Sequence, residues 1–313
     1  MGKTLLIVNP CSGRAKMKTE LLNVVNILSA DGSLVTVYPT KARGDATEFA
    51  AGVKENEYEK IVVCGGDGTL NEVITGIMRS GIACTLGYIP SGTLNEWSSG
   101  LHIARSIKRA AEDITTGKKI RLDIGKFGDK YFSYTASFGA FTDASYSAPQ
   151  DVKNVLGQAA YFFEGIKSLG NIKPIHLKFK TDTYETEGDF LFGAVSNSMS
   201  VGGIVKFDQS AVKLNDGEFE VLLIRNPDNI LKLQPIIDGI LKKDLNREGI
   251  EFFTAKNITV TGGAGMSWTL DGEYAAGSEE VNITNLHNAI ELIVPQLTSP
   301  ICLTSRVKLP IRR

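Results

Sequence analysis

The chain has 313 residues, with 34 Lys and Arg against 35 Asp and Glu and a formal net charge of -1. Hydrophobic residues make up 42% and charged residues 22%, a globular composition that excludes a disordered, coiled-coil or collagen-like chain. The even charge balance argues against a nucleic-acid binder of the basic-surface kind, and the length predicts two domains at about 100–200 residues each.

No run approaches the ~18 apolar residues of a membrane span. The four cysteines, Cys11, Cys64, Cys84 and Cys302, are scattered without a C-x-x-C pair. Neither a zinc site nor a disulfide framework is expected, and a reducing cytoplasm is the predicted setting.

The first third alternates strand and helix. Thr4–Val8 is an apolar strand ending in Asn9-Pro10. Lys16–Ala30 places Leu21, Leu22, Val25 and Leu28 on one helical face, and Gly32 stops it. Leu34–Tyr38 is a second strand and Asp45–Lys54 a short helix. Lys60–Cys64 is a third strand, running into Gly65-Gly66-Asp67-Gly68-Thr69 ahead of a helix over Leu70–Met78. Thr85–Ile89 is a fourth, ending in Pro90-Ser91-Gly92-Thr93. Such alternation predicts a parallel sheet with right-handed crossovers.

From about Arg121 the pattern changes to short strands divided by turns. They are Leu122–Phe127, Tyr131–Phe138, Ile175–Lys180, Phe190–Ser196, Glu218–Ile224, Asn257–Thr261, Ser267–Leu270 and Ala289–Val294. This predicts an antiparallel sandwich or barrel, interrupted by helices near Val152–Leu169 and Asn229–Leu241. The aromatic stretches Tyr131–Phe141 and Tyr161–Phe163 read as core rather than as an acyl-chain cleft.

Two loops carry chemistry: Gly65-Gly66-Asp67-Gly68-Thr69-Leu70-Asn71-Glu72 and Pro90-Ser91-Gly92-Thr93-Leu94-Asn95-Glu96. Each follows a strand end, where open parallel sheets bind ligands. Glycines let backbone N–H groups approach an anion, and the helix N-terminus adds partial positive charge. Asp67 would repel phosphate alone and fits there as the holder of a bridging Mg²⁺. The P-loop and Rossmann fingerprints are absent, since Asn71 stands where the latter needs its third glycine.

Over nearly its whole length the chain resembles the diacylglycerol kinase catalytic-domain family in its compact bacterial form. The resemblance rests on Asn9-Pro10-Cys11-Ser12-Gly13, the Gly-Gly-Asp-Gly-Thr loop and Pro90-Ser91-Gly92-Thr93-Leu94-Asn95. It continues through Arg121-Leu122-Asp123, Lys213-Leu214-Asn215-Asp216-Gly217 and Asp271-Gly272-Glu273. It implies an ATP-dependent lipid kinase built from an α/β nucleotide domain, residues 1–120 with a return segment 296–313, and an antiparallel β-sandwich domain, residues 121–295. ATP would be held by Asn9, Pro10, Cys11, Ser12, Gly13, Thr40, Gly65, Gly66, Asp67, Gly68, Thr69, Leu70, Asn71, Glu72 and Thr93. Asp67 would organise a catalytic Mg²⁺ with Asp123 nearby. The Asp216 carboxylate and the backbone oxygens of Lys213 and Glu218 resemble a structural Mg²⁺ site. Glu273 matches the catalytic base, with Asp67 the other group placed to take the proton.

Two departures stand out: Asn95-Glu96 replaces the usual Asn-Asp, and Gln209-Ser210-Ala211 replaces the usual Pro-x-Ala. The implied partner is a lipid met at a membrane surface by a cytoplasmic, peripheral protein, and a homodimer is left open. A kinase for a soluble acceptor such as NAD, and a non-catalytic nucleotide- or lipid-binding regulator, are the rival readings.

Overall fold

The computed structural model describes residues 1–15, 17–92, 95–139, 173–198, 200–201, 205–206, 213–227 and 232–296. The helix expected over 152–169, the aromatic residues 141 and 161–163, and the C-terminal segment from 297 lie outside them. The chain divides into two units, one formed by Met1–Ile124 with the stretch from His287, the other by Gly125–Leu286.

In the first unit β1 (Lys3–Val8), β2 (Leu34–Pro39), β3 (Lys60–Gly65) and β4 (Thr85–Pro90) lie in the order β4-β3-β1-β2, all parallel. The end of β17 (Glu280–Val294) joins β4 in parallel through Glu291 and Leu292. In β1, β3 and β4 nearly every residue is buried, as expected for parallel strands covered on both faces. The helices are α1 (Met17–Leu28), α2 (Asp45–Ala51), α3 (Asp67–Ser80), α4 (Glu96–Gly100) and α5 (Ile107–Thr116). α3 starts at Asp67, three residues before its apolar periodicity becomes visible, and stops at left-handed Gly81, whose N–H donates to Ile77 O at 3.0 Å.

The second unit is antiparallel. Its strands are the end of β5 (Lys118–Phe127), β6 (Lys130–Phe132), β7 (Thr135–Gly139), β8 (Ile175–Lys180), β9 (Glu185–Ser196), β10 (Ser200–Val201), β11 (Val205–Lys206), β12 (Phe219–Arg225), β13 (Ile250–Ala255), β14 (Asn257–Thr261), β15 (Ser267–Leu270), β16 (Glu273–Ala276) and the start of β17. The hydrogen-bonded order runs β16-β15-β7-β9-β8-β14-β17. β9 pairs with β8 through Glu185–Phe190 and with both β7 and β12 through its second half. The strands enclose an aromatic core containing Phe132, Phe138, Phe179, Phe190, Phe219 and Trp268. α6 (Leu233–Lys242) covers a second apolar cluster with Ile236 and Ile240 against Phe192, Leu222 and Ile250.

The expected strand Tyr131–Phe138 is two strands, because the loop between β6 and β7 turns around the Asp271 carboxylate. The expected Ala289–Val294 is the end of a 15-residue strand.

Candidate active site

The loops after β1, β3 and β4 meet at the carboxyl end of the parallel sheet. Asn9 N donates to Cys64 O at 2.8 Å, and Ser91 N donates to Gly65 O at 2.8 Å, so the strand order itself brings the loops side by side. Asn9 Nδ2 donates to Thr69 Oγ1 at 3.0 Å, while Asn9 Oδ1 accepts from Cys11 N at 3.0 Å. The hydroxyls of Ser12 and Ser91 share a short hydrogen bond.

Two glycines allow this approach. Gly13 has φ +56°, and a Cβ there would lie 1.7 Å from Ser91 O. A Cβ on Gly92 would lie 2.6 Å from Gly66 Cα. Side chains at these points would force the loops apart, because real Cβ atoms do not approach so closely.

Asp67 is the first residue of α3, and its Oδ1 is shielded from solvent. The first amides of a helix have no partner within it, so the turn Asp67–Thr69 directs N–H groups and positive dipole at the space beyond β3. Gly68 is exposed there, whereas Leu70 is buried in the core. Asn71 Oδ1 accepts from Thr75 Oγ1 at 3.1 Å. The Glu72 carboxylate accepts from Gly44 N at 2.9 Å and Ala46 N at 3.3 Å. It thereby ties the β2–α2 loop, in which Thr40 N donates to Val8 O at 2.8 Å, to the glycine loop. Glu72 acts on that loop rather than outward.

Three participants belong to the sequence motifs or strands but not to the expected ligand set: Tyr88, Ser91 and Asn95. Asn95, left-handed at φ +50°, accepts from Gly92 N at 3.0 Å and donates to Gly92 O at 2.7 Å, closing the loop after β4. The signal was available, since Asn is the non-glycine residue most at ease in that conformation. The Tyr88 hydroxyl lies 3.3 Å from Asn95 Oδ1. Burial, and then the Asp67 carboxylate, raise the pKa of Tyr88 far above the usual phenol range, so it stays a neutral donor. Burial likewise pushes the Cys64 thiol up to about 11. Thr93 lies outside the described residues.

Asp123 is fully buried on β5, and its Oδ1 accepts from His287 Nδ1 at 3.0 Å and Asn288 N at 2.7 Å. Among the described residues no group of three or more His, Cys, Asp or Glu side chains is arranged so that it could hold a metal ion. A single protein carboxylate nevertheless suits Mg²⁺, which is commonly held by one or two carboxylates plus substrate phosphates.

In the second unit, Lys213, Asp216 and Glu218 precede β12. Asp216 Oδ1 accepts from Glu218 N at 3.2 Å around left-handed Gly217, a turn of hard oxygen donors suited in kind to Mg²⁺. Glu273 opens β16 and is exposed.

Glycine loops closing over a helix N-terminus at strand carboxyl ends define a phosphate-binding α/β unit. The pattern of the diacylglycerol kinase catalytic domain matches residues 3–127. A diacylglycerol kinase of Staphylococcus saprophyticus is 33% identical over 291 residues, covering 93% of this chain and 94% of that protein. One of Bacillus subtilis is 30% identical over 297 residues, covering 95% and 97%. A crystal structure of a diacylglycerol kinase from Bacillus anthracis superimposes with a TM-score of 0.74 at 26% identity, covering 93% of this chain and 96% of that one. The chain belongs to the diacylglycerol kinase catalytic-domain family.

Proposed function

We propose that this protein is an ATP-dependent lipid kinase, transferring the γ-phosphate of ATP to the hydroxyl of a diacylglycerol-like lipid. Family membership supports the phosphotransferase reading. The observation that carries the nucleotide reading is the convergence of the β1, β3 and β4 loops through Asn9–Thr69, Ser12–Ser91 and Gly66–Gly92. Phosphoryl transfer needs mostly positioning and electrostatic stabilisation, which backbone amides at a helix N-terminus supply.

Asp67 would hold Mg²⁺ against the ATP phosphates, and the ion would neutralise charge developing on them. Asp123, whose Oδ1 accepts from His287 and Asn288, would lie near that ion. The Asp216 carboxylate, with carbonyls of Lys213 and Glu218, would hold a second, structural ion. Glu273 would receive the proton of the lipid hydroxyl, whose oxygen bonds to the γ-phosphorus as the bond from that phosphorus to the β–γ bridging oxygen breaks and ADP leaves. No helix among the described residues is long and apolar enough to cross a membrane. A lipid acceptor resides in a bilayer, so on this reading the protein meets it at the membrane surface, with the cytoplasmic face the side we propose.

The test uses labelled ATP, Mg²⁺ and detergent mixed micelles carrying single lipids, beside NAD and simple polyols in buffer. Label should enter the lipid phase, at a rate that follows the lipid's mole fraction in the micelle. Label on NAD alone would overturn the lipid-kinase reading. ATP binding without transfer to any acceptor, across a panel including diacylglycerol, a polyprenol and a sphingoid base, would favour a regulator.

A further inference from the structure

Asp271 has no role so far, yet its carboxylate is heavily engaged. It is 6% exposed. Its carboxylate accepts three consecutive backbone N–H groups, from Ser133 at 2.5 Å and from Tyr134 and Thr135 at 3.0 Å each. Its own N–H donates to Thr135 O at 2.9 Å. Three successive amides converging on one anion form a concave donor nest, an arrangement that meets the cost of burying a carboxylate.

The location gives this clamp its meaning. Asp271 and Gly272, at φ +51° and +83°, are the two turn residues joining β15 to β16, with Leu270 paired to Glu273 across them. Both residues of such a two-residue hairpin adopt positive φ, and Asp-Gly is a favoured pair. A hairpin turn ordinarily projects into water, whereas here its first residue is buried. β16 has four residues, stands at the end of the sheet order and pairs with β15. A short terminal strand of this kind is readily displaced unless something anchors its root. The nest in the β6–β7 loop provides that anchor two residues before Glu273.

We propose that Asp271 is the positioning residue for Glu273, locking the hairpin root to the β6–β7 loop so that the Glu273 carboxylate is held where the acceptor hydroxyl must deliver its proton. The proposal rests on Glu273 being the base. It assigns Asp271 no contact with substrate.

The test compares Asp271→Asn, Glu273→Gln and the double variant for kcat, for KM toward ATP and for melting temperature. Asn tolerates the left-handed turn but places an NH₂ against the nest, where a donor cannot accept. Asp271→Asn should lower kcat at least tenfold while leaving KM for ATP within twofold. The double variant should be no slower than Glu273→Gln alone, because positioning a base that is gone changes nothing. If Asp271→Asn does not fold, Asp271→Glu keeps the charge and lengthens the link by one methylene. The same kcat loss and the same non-additivity are then expected. Wild-type kcat in the folded Asp271 variant, or losses that multiply in the double variant, would overturn the positioning role. Wild-type kcat in Glu273→Gln would instead remove the base assignment, an outcome read from a different variant.

Discussion

Asn9 and Thr69 are 60 residues apart in sequence, and the Asn9 amide donates to the Thr69 hydroxyl at 3.0 Å while its oxygen holds Cys11 N at the same distance. One side chain thus fastens the loop after β1 to the first turn of α3. Asn9→Ala removes both bonds, each worth about 1 kcal/mol. KM for ATP should rise roughly five- to thirtyfold with a smaller change in kcat, measured by steady-state kinetics. An unchanged KM would mean that the two loops hold their positions without this link.

Asp67→Asn separates charge from shape. The substitution keeps the volume at the start of α3, so the melting temperature should stay within about 2 °C. Phosphoryl transfer should fall well below a tenth of the wild-type rate, since even one modest acid–base or electrostatic contribution exceeds about tenfold. A variant retaining more than that would show that Asp67 does not organise the metal.

Asp216→Ala tests the second metal. A cation that binds the native state stabilises it by mass action. Added Mg²⁺ should raise the melting temperature of the wild-type protein more than that of the variant. Equal responses would remove the structural ion from the turn before β12.

Glu291 gives a pH dependence of definite sign. The Thr85 hydroxyl at 2.7 Å, followed by the Lys119 ammonium at 3.0 Å, holds its carboxyl below the usual glutamate range. A depressed pKa contributes stability that is full above the unfolded value, about 4.3, and is lost as pH falls through the folded value. The group is 30% exposed, so about 0.5–1 kcal/mol is the scale. Glu291→Gln should lower the unfolding midpoint at pH 7, with the difference from wild type shrinking toward pH 3. A difference that is constant with pH would assign the effect to packing between β4 and β17.

Cys11 is exposed in the first loop, whereas Cys64 is buried and Cys84 half-buried, with burial pushing both of the latter thiols up to about 11. Thiolate is the reactive form. Alkylation followed peptide by peptide should modify Cys11 well before Cys64 or Cys84, and ATP should slow it. Modification of Cys11 at the same rate with and without ATP would place the nucleotide elsewhere.

Much of the first unit was legible because parallel strands buried on both faces read as unbroken apolar runs, and each ended in glycine, proline or asparagine. Leu5, Leu6 and Ile7 or Ile61, Val62 and Val63 admit few other readings. α5 was missed because its residues are mixed in polarity and its start signal, Ser106 accepting from Arg109 N, is a single hydroxyl. The first half of β17 was missed because Asn282, Asn285 and Asn288 look like turn residues. Only the last departs from the strand, at φ +52°, where its N–H reaches Asp123. The Asp-Gly pair at 271–272 did mark a hairpin, but local sequence holds no trace of three amides from residues 133–135 arriving at its carboxylate. The roles of Glu72 and Asp271 depend on partners 26 and 136 or more positions away, and no periodicity encodes those.

Asp123 and its two partners also set an order of events during synthesis. The aspartate leaves the ribosome 164 residues before His287 and 165 before Asn288. At roughly 5–20 residues per second the delay is on the order of ten seconds. During that interval the first four strands and their loops can assemble, but β4 lacks the neighbour that Glu291 and Leu292 will supply. A polypeptide stopped at residue 127, where the family pattern ends, would remain in that condition, with an unfinished sheet margin and a carboxylate denied the groups that compensate its burial. The point at which the family pattern ends is thus a poor place to cut this chain.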